Sequence, residues 1–207
     1  DKTFSPVVAF SINQSDAITA VSYNLRDETY KIFKIEKEIE VIQNFVDVTR
    51  FNKKPIDAFR RVIAPNDEKI IIHASNFRKI KRVEDVVKIF AKVRQQVPSK
   101  LLFVGDGPER STAEGMCREL NLCDDMRFVG KQEQMEEILA IGDLFVLTSE
   151  YESFGLAALE AMAAGVPVIS TNAGGLPEIN VNNKTGYLSA VGDIESMSAH
   201  AIGLLSD

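Results

Sequence analysis

The sequence predicts an α/β protein in which helices cover both faces of a parallel β-sheet. From residue 67 onward, short runs rich in Ile, Val, Leu and Phe alternate with longer segments whose apolar residues recur at helical spacing. The short runs are apolar almost throughout, which is typical of strands that are buried on both faces. Strands and helices that alternate in this way form a doubly wound sheet.

The predicted elements follow one another in regular order. The first part of the chain contains helix 4–12, strand 17–21, helix 22–33 with Ser22 as its cap, and strand 39–42. The second part contains strands 69–74, 100–104, 127–129, 143–147, 166–169 and 186–188, and helices 83–97, 109–120, 135–140, 156–164 and 194–205. Ligands of such Rossmann-like sheets bind beyond the carboxyl ends of the strands, so we expect the loops there to form the site.

Composition argues against several classes of protein. The chain has 207 residues and a formal net charge of −6, which disfavours a general nucleic-acid or anionic-membrane binder. No apolar run reaches membrane length and no signal peptide is recognisable, so we expect no membrane insertion. Cys117 and Cys123 have no His nearby, which predicts two reduced thiols and a cytoplasmic location. The oligomeric state stays open, a homo-oligomer included.

The two histidines are predicted to be structural. His73 lies in an apolar strand, and His200 lies among Ala and Ile in the last helix. No cluster of His, Asp, Glu and Cys has the spacing of metal ligands, and no Ser forms a credible triad with these two histidines.

Residues 149–170 carry the most informative pattern, S-E-Y-E-S-F-G-L-A-A-L-E-A-M-A-A-G-V-P-V-I-S. The pattern predicts a loop, an Ala- and Leu-rich helix and a buried strand. Ser153 is the expected cap of the helix, and Gly155 lets a ligand approach the backbone. The free N–H groups near Phe154, Gly155 and Leu156 predict a phosphate site, because the positive end of the helix dipole lies there.

Glu152 and Glu160 lie on either side of the helix start. Carboxylates are poor phosphate ligands, but they accept hydrogen bonds from hydroxyl groups such as those of sugars. Eight helical residues turn about 80° net, so the two side chains can serve one elongated ligand at different depths. A ligand with phosphates in the middle and hydroxyls at both ends is a nucleotide sugar.

This stretch resembles the donor-site signature of the retaining glycosyltransferases of family 4. The resemblance is carried by two Glu separated by seven residues within E-S-F-G-L-A-A-L-E-A-M-A-A-G-V-P-V-I, and by the later N-A-G-G-L-P-E-I. It covers nearly the whole chain and implies a two-domain GT-B fold. It also implies that Glu152 contacts the donor hexose as a catalytic residue and that Glu160 binds the ribose hydroxyls.

The resemblance also implies a division of the chain. Residues 1–48 are expected to be the end of the N-terminal, acceptor-side domain and the linker, and residues 49–207 the C-terminal donor domain, incomplete at its end. The last residues before the boundary resemble the family's P-N-G-V-D linker, with Gln43 and Phe45 in place of Pro and Gly. The run N-K-K-P at 52–55 fits an interdomain connection.

Two further loops complete the predicted donor site. In the family, the loop after the first strand carries an Arg and a Lys that hold the donor phosphates. Lys81 matches the Lys, Asn76 stands at the position of the Arg, and Arg78 is the candidate for the missing charge. An exposed basic turn is the alternative interpretation of this loop. After the third strand, Gln132 is the candidate for reading the uracil edge.

Two glycine-containing turns are predicted to have mainly structural or positioning roles. The run G-D-G-P at 105–108 has only G-x-G, so we interpret it as a tight turn with Pro108 at the first helical position. Gly174 and Gly175 are expected to approach the donor, with Glu178 bracing their loop.

The resemblance implies metal-independent transfer of a hexose from a UDP-sugar to a hydroxyl, with retention and with no other cofactor. The segments S-N-F-R-K-I-K-R, V-G-D-G-P-E-R and S-E-Y-E-S-F-G-L resemble the bacterial branch that makes N-acetylglucosaminyl malate for bacillithiol. UDP-N-acetylglucosamine and L-malate are the implied substrates. Alternatives are another hexosyltransferase of the family, a nucleotide-sugar epimerase, or a non-catalytic nucleotide-sugar-binding fragment. An oxidoreductase would need a fuller glycine fingerprint.

Overall fold

The computed structural model describes residues 4–52 and 56–206, so most of the predicted connection at 52–55 lies outside the described residues. The first part of the chain contains α1 (Ser5–Gln14), β1 (Thr19–Ala20), α2 (Tyr23–Ile32), β2 (Glu40–Val41), α3 (Val48–Phe51) and α4 (Asp57–Ile63). The second part contains β3 (Lys69–Ser75), α5 (Val83–Arg94), β4 (Ser99–Gly105), α6 (Arg110–Glu119), β5 (Met126–Phe128), α7 (Met135–Leu139), β6 (Leu144–Leu147), α8 (Leu156–Ala163), β7 (Val168–Thr171), α9 (Leu176–Ile179), β8 (Gly186–Ser189) and α10 (Ile194–Ser206).

Each predicted strand and helix is present, with ends that shift by a few residues. Ser22 caps α2 as predicted, because its hydroxyl oxygen accepts a hydrogen bond from the Leu25 N–H. The short helices α3 and α4 were not predicted. They have four and seven residues, which is too few for a helical period to be recognised.

The larger sheet is parallel and has the strand order β5-β4-β3-β6-β7-β8. The chain winds outward from β3 to β5 and then returns to the centre, where β6 pairs with β3 through Ile71 and Leu144. This is the strand order of a doubly wound sheet, and the winding reverses between β3 and β6. The loops that follow these two strands therefore diverge at the carboxyl edge of the sheet and leave a crevice.

Both faces of the larger sheet are buried. Along β3, Ile71 faces a core formed with α5, α6 and α10, whereas Ile70 and Ile72 face a second core formed with α7 and α8. This alternation explains why the strands are apolar throughout rather than at every second residue.

The first part of the chain forms a separate two-stranded parallel sheet from β1 and β2. α2 packs on this small sheet, whereas α3 packs on α7 and α8 of the second part. The predicted domain boundary at residues 48 and 49 stays a prediction. None of the helices in the ranges 4–52 and 56–206 is long and apolar enough to cross a membrane.

The prediction of two reduced thiols was wrong, because Cys117 and Cys123 are joined by a disulfide. Cys117 lies in the last turns of α6, and the N–H of Leu122 donates to its carbonyl at 2.9 Å. This turn brings the two Cα atoms to 5.2 Å, which is within the range that a disulfide needs.

The G-D-G-P turn is structural as predicted, but α6 begins at Arg110, so Pro108 is not its first residue. The turn packs tightly against the end of β3. A Cβ atom on Gly105, whose φ is +114°, would lie 1.8 Å from the Ser75 carbonyl oxygen, and one on Gly107 would lie 2.1 Å from that of Asn76. Glycine is therefore required at both positions by backbone packing.

Arg60 fastens α4 to the amino-terminal edge of the large sheet. Its guanidinium donates to the Ile141 carbonyl at 2.6 Å and to the Asp143 carboxylate at 2.9 Å. The same Asp143 oxygen accepts from the Ile70 N–H at 2.7 Å.

We expect Arg60→Ala to lower the free energy of unfolding by about 2 kcal/mol, because it leaves a partly buried carboxylate and a carbonyl without this donor. Urea denaturation measures the change. Arg61→Ala is the matched control, since Arg61 is the exposed neighbour on the same helix, and it should change stability by less than about 0.5 kcal/mol. Equal losses in the two variants would contradict the anchoring role.

Candidate functional site

Hydrogen bonds join the two loops that border the crevice. The Thr148 hydroxyl lies 2.9 Å from the Lys81 carbonyl and 3.0 Å from the Arg82 carbonyl, which compete for its proton. The Glu150 N–H donates to the Ile80 carbonyl at 2.8 Å. These contacts place the 3-10 helix Lys79–Lys81 directly beside the loop that follows β6.

Lys81 and Glu152 form an ion pair across the crevice, between Nζ and Oε1. The hydroxyl of Ser149 donates to the same carboxylate oxygen at 2.8 Å. Both charged side chains are largely shielded, with 18% and 14% of their surface exposed, so the pair is held in one arrangement. The structure thus brings together Glu152, which is predicted to contact the donor hexose, and Lys81, which is predicted to hold the donor phosphates.

A cavity of about 250 Å³ opens beside this pair. Five of the predicted donor-site residues line it, and the others that line it come from β3, β6 and α8. The five are Asn76, Lys81, Glu152, Gly155 and Leu156. The cavity therefore lies at the carboxyl edge of the sheet, where the topology predicts ligand binding.

The prediction that Ser153 caps α8 was wrong. The cap position belongs to Gly155, which has φ +98°, and no side chain of the described residues caps this helix. Gly155 is also needed for packing, since a Cβ atom there would lie 2.5 Å from a methyl group of Leu176. Phe154 is buried and anchors the loop, so the first N–H groups of α8 stay at the crevice, where we predict a phosphate.

The glycine turn after β7 supports the backbone of Glu152. The Gly175 N–H donates to the Glu152 carbonyl at 2.8 Å. A Cβ atom on Gly174, which has φ +58°, would lie 1.9 Å from that same oxygen. The turn thus positions Glu152 through close backbone packing.

Glu160 lies half-buried on α8, next to two charged residues that the sequence did not single out. Burial raises the pKa of Glu160 above its ordinary value, while Arg50 opposes the shift and Glu136 adds to it. Arg50 of α3 pairs with Glu136 of α7 at 3.0 Å. α3 was too short to be predicted, so the sequence held no signal that Arg50 would come near Glu160.

Arg78 and Gln132 do not line the cavity beside Lys81. Arg78 is exposed at the start of the 3-10 helix. The Gln132 side chain donates to the Val129 carbonyl at 2.6 Å and lines a different cavity, of about 290 Å³, with Ile56 and Phe59. The roles given to these two residues in phosphate and uracil binding remain predictions.

His73 is a structural residue, as predicted, and it orders the loop after β3. Its Nδ1 lies 2.9 Å from the Val146 carbonyl, which can only accept, so Nδ1 carries the proton. Burial lowers the pKa of His73 to about 4, so the ring is neutral and Nε2 accepts from the Ser75 hydroxyl at 2.9 Å. Ser75 in turn accepts from the Phe77 N–H. His200 stacks on Tyr187, with ring centroids 4.2 Å apart.

We expect Glu160→Gln to increase stability at pH 7.5, and the gain to shrink as the pH is lowered to 5. The folded state raises the pKa of this carboxyl, so its ionised form lowers stability at high pH, and protonation relieves that loss. Urea midpoints at both pH values measure the effect. Glu119→Gln, on the exposed end of α6, controls for the removal of one negative charge. A gain that grows towards pH 5 would contradict the assignment.

The sequence matches that of known glycosyltransferases. The family model for group 1 glycosyltransferases matches residues 56–207. The chain is 46% identical over its whole length to the N-acetyl-alpha-D-glucosaminyl L-malate synthase of Bacillus anthracis, of which it covers 55%. Over 97% of its length it is 31% identical to a glycogen synthase of Mycobacterium tuberculosis, of which it covers 48%. The chain thus spans about half the length of these curated relatives.

Solved structures show the same fold. HepE from Anabaena, in complex with UDP and glucose, matches the whole chain with a TM-score of 0.91 at 22% identity, and the match covers 58% of HepE. Sucrose-phosphate synthase from Thermosynechococcus elongatus matches the whole chain with a TM-score of 0.86 at 27% identity, and the match covers 53% of that chain. The predicted Rossmann-like GT-B fold class is confirmed, and the chain belongs to the group 1 glycosyltransferase family.

Proposed function

We propose that the chain is the donor-binding half of a retaining enzyme that transfers N-acetylglucosamine from UDP-N-acetylglucosamine to L-malate, the first step of bacillithiol biosynthesis. The observation that carries the proposal is the Lys81–Glu152 pair in the crevice at the start of α8. The choice of sugar and acceptor is supported by the 46% identity to the Bacillus anthracis synthase.

In this proposal each part of the nucleotide sugar meets a matching group. The Lys81 ammonium and the backbone N–H groups of 154–156 bind the diphosphate, Glu152 accepts from hexose hydroxyls, and Glu160 accepts from the ribose. When the diphosphate binds Lys81, it displaces the Glu152 carboxylate from the ion pair. That carboxylate can then accept hydrogen bonds from the sugar. Asn76 lines the same cavity, which supports the proposal that its side-chain amide donates to the phosphates.

The residues of this half act on the leaving group. The bond between the anomeric carbon and the phosphate oxygen breaks, and its electron pair leaves with UDP. The hydroxyl oxygen of L-malate forms the new bond to that carbon on the same face, and its proton passes to the departing phosphate oxygen. In this proposal Lys81 and the N–H groups at the start of α8 stabilise the negative charge on the departing UDP, because a cation and hydrogen-bond donors are favourable partners for it. No group of three His, Cys, Asp or Glu in the described residues could hold a metal ion. Metal-independent transfer remains part of the proposal.

A second candidate is a non-catalytic nucleotide-sugar-binding fragment. The chain spans about half the length of these relatives, and the resemblance implies that the acceptor site belongs to the N-terminal domain. Transfer of a different hexose is the other alternative, since glycogen synthase is also among the relatives. A cytoplasmic location remains a prediction, and the Cys117–Cys123 disulfide removes the thiol argument for it.

We expect isothermal titration calorimetry to detect binding of UDP and UDP-N-acetylglucosamine to this chain, and no binding of NAD. Glu160→Ala should weaken UDP about tenfold, because a hydrogen bond to a charged group is lost. Glu152→Ala should reduce mainly the extra affinity that the sugar provides. If the folded chain bound neither UDP nor UDP-N-acetylglucosamine, the proposed donor site would be overturned. Unchanged UDP affinity in Glu160→Ala would overturn the assignment of Glu160 to the ribose.

Lys81→Gln should weaken UDP by about 10- to 100-fold, since it removes a charge-assisted contact to the phosphates. Lys79→Gln is the matched control, because Lys79 lies exposed on the same 3-10 helix and its substitution removes the same charge. Calorimetry at 0.15 M salt compares the two variants, and similar losses in both would show that only the net charge of the loop matters.

A further inference from the structure

A carboxylate of the second part of the chain binds the N-terminus of a helix in the first part. The Tyr23 N–H donates to Oε2 of Glu178 at 3.0 Å, and the Asn24 N–H donates to Oε1 at 2.7 Å. The Gln43 side-chain amide also donates to Oε2, at 3.3 Å. Both oxygens of Glu178 are therefore used by residues more than a hundred positions earlier, at the positive end of the α2 dipole.

The same end of α2 also holds the loop that carries Glu152. The Ser22 hydroxyl is fully buried and donates to the Ser153 carbonyl at 2.6 Å, while its oxygen accepts from the Leu25 N–H at 3.0 Å. One side chain thus caps α2 and binds the residue next to Glu152.

Tyr151, on the other side of Glu152, lies near Glu28 of α2. Burial, with the neighbouring Glu28 as a smaller cause, raises the pKa of Tyr151 to about 12.

Glu178 is connected to Glu152 through the glycine turn as well. It lies in the short helix α9, which begins directly after Gly175. The Gly175 N–H donates to the Glu152 carbonyl, so displacement of α9 displaces the backbone that carries the Glu152 side chain. α2 therefore binds the Glu152 loop directly through Ser22, and indirectly through Glu178.

We propose that Glu178 is a positioning residue for the donor site, because its carboxylate binds the N-terminus of α2 and so holds the 151–153 loop that orients Glu152. Its role in sugar transfer rests on the proposed function, whereas its effect on the loop does not. The sequence assigned Glu178 only to its own loop, and the structure adds the helix that it binds. Glu178 does not line the cavity, so it acts through Glu152.

The test is hydrogen exchange on the whole chain without ligand, in Glu178→Gln and in the parent sequence. The amide of Gln cannot accept from both N–H groups with its two terminal atoms, and it carries no charge. We expect exchange to become about tenfold faster in the peptides that cover 19–29 and 149–156, since local opening loses one charge-assisted contact. Glu195→Gln is the matched control, because Glu195 pairs only at the surface with Lys92 at 2.9 Å. It should leave both peptides unchanged.

Calorimetry on the same proteins separates positioning from general destabilisation. Glu178→Gln should weaken UDP-N-acetylglucosamine more than UDP, because Glu152 is assigned to the sugar. Faster exchange in 19–29 alone would overturn the proposal and leave Glu178 as a helix cap. Faster exchange in both peptides, with no uridine binding even by the parent chain, would support the coupling of Glu178 to the loop and overturn the proposed function. Uridine binding, with unchanged hydrogen exchange in the 149–156 peptide, would support the proposed function and overturn the coupling of Glu178 to the loop.

Discussion

The reversal of winding between β3 and β6 is the constraint on which the site depends. Two adjacent parallel strands send their following segments to opposite faces of the sheet, so a crevice remains between the loops. The Thr148 hydroxyl keeps these loops together at the base of that crevice, where it contacts the carbonyls of Lys81 and Arg82. Lys81 and Glu152 lie seventy-one positions apart in the sequence, and the paired loops bring them close enough to form an ion pair.

The carboxylate of Glu160 on α8 is held at a cost to the stability of the fold. Burial raises the pKa of Glu160, which means that the folded chain holds an ionised carboxylate less well than water does. Arg50 offsets only part of this cost, because it is already paired with Glu136. A residue that destabilises its own fold fits a binding role, where a ligand hydroxyl can satisfy the carboxylate. The Lys81–Glu152 pair differs in that each charge is neutralised by the other.

Much of the site could be predicted because its residues belong to long, regular elements or to loops at their ends. Lys81 follows a strand with an unmistakable apolar run, and Glu152 precedes an Ala- and Leu-rich helix, so topology alone places both at one edge. The cap of α8 was misplaced by two residues, since the cap depends on a single φ angle at Gly155 that the sequence does not determine. Arg50 lies on a four-residue helix without a period. The Cys117–Cys123 disulfide depends on a local turn rather than on any spacing rule.

The contacts of α2 change how the division of the chain into two parts should be understood. α2 packs on the small sheet, yet its N-terminus binds Glu178 and Ser153 of the second part. The donor cavity is lined by the second part, but the orientation of the Glu152 loop depends on a helix of the first. Three hydrogen bonds from backbone or hydroxyl groups, one of them donated by the buried Ser22, resist separation of the two surfaces. Because none of these contacts involves a residue of the cavity wall, the first part of the chain can influence the site without contacting a ligand there.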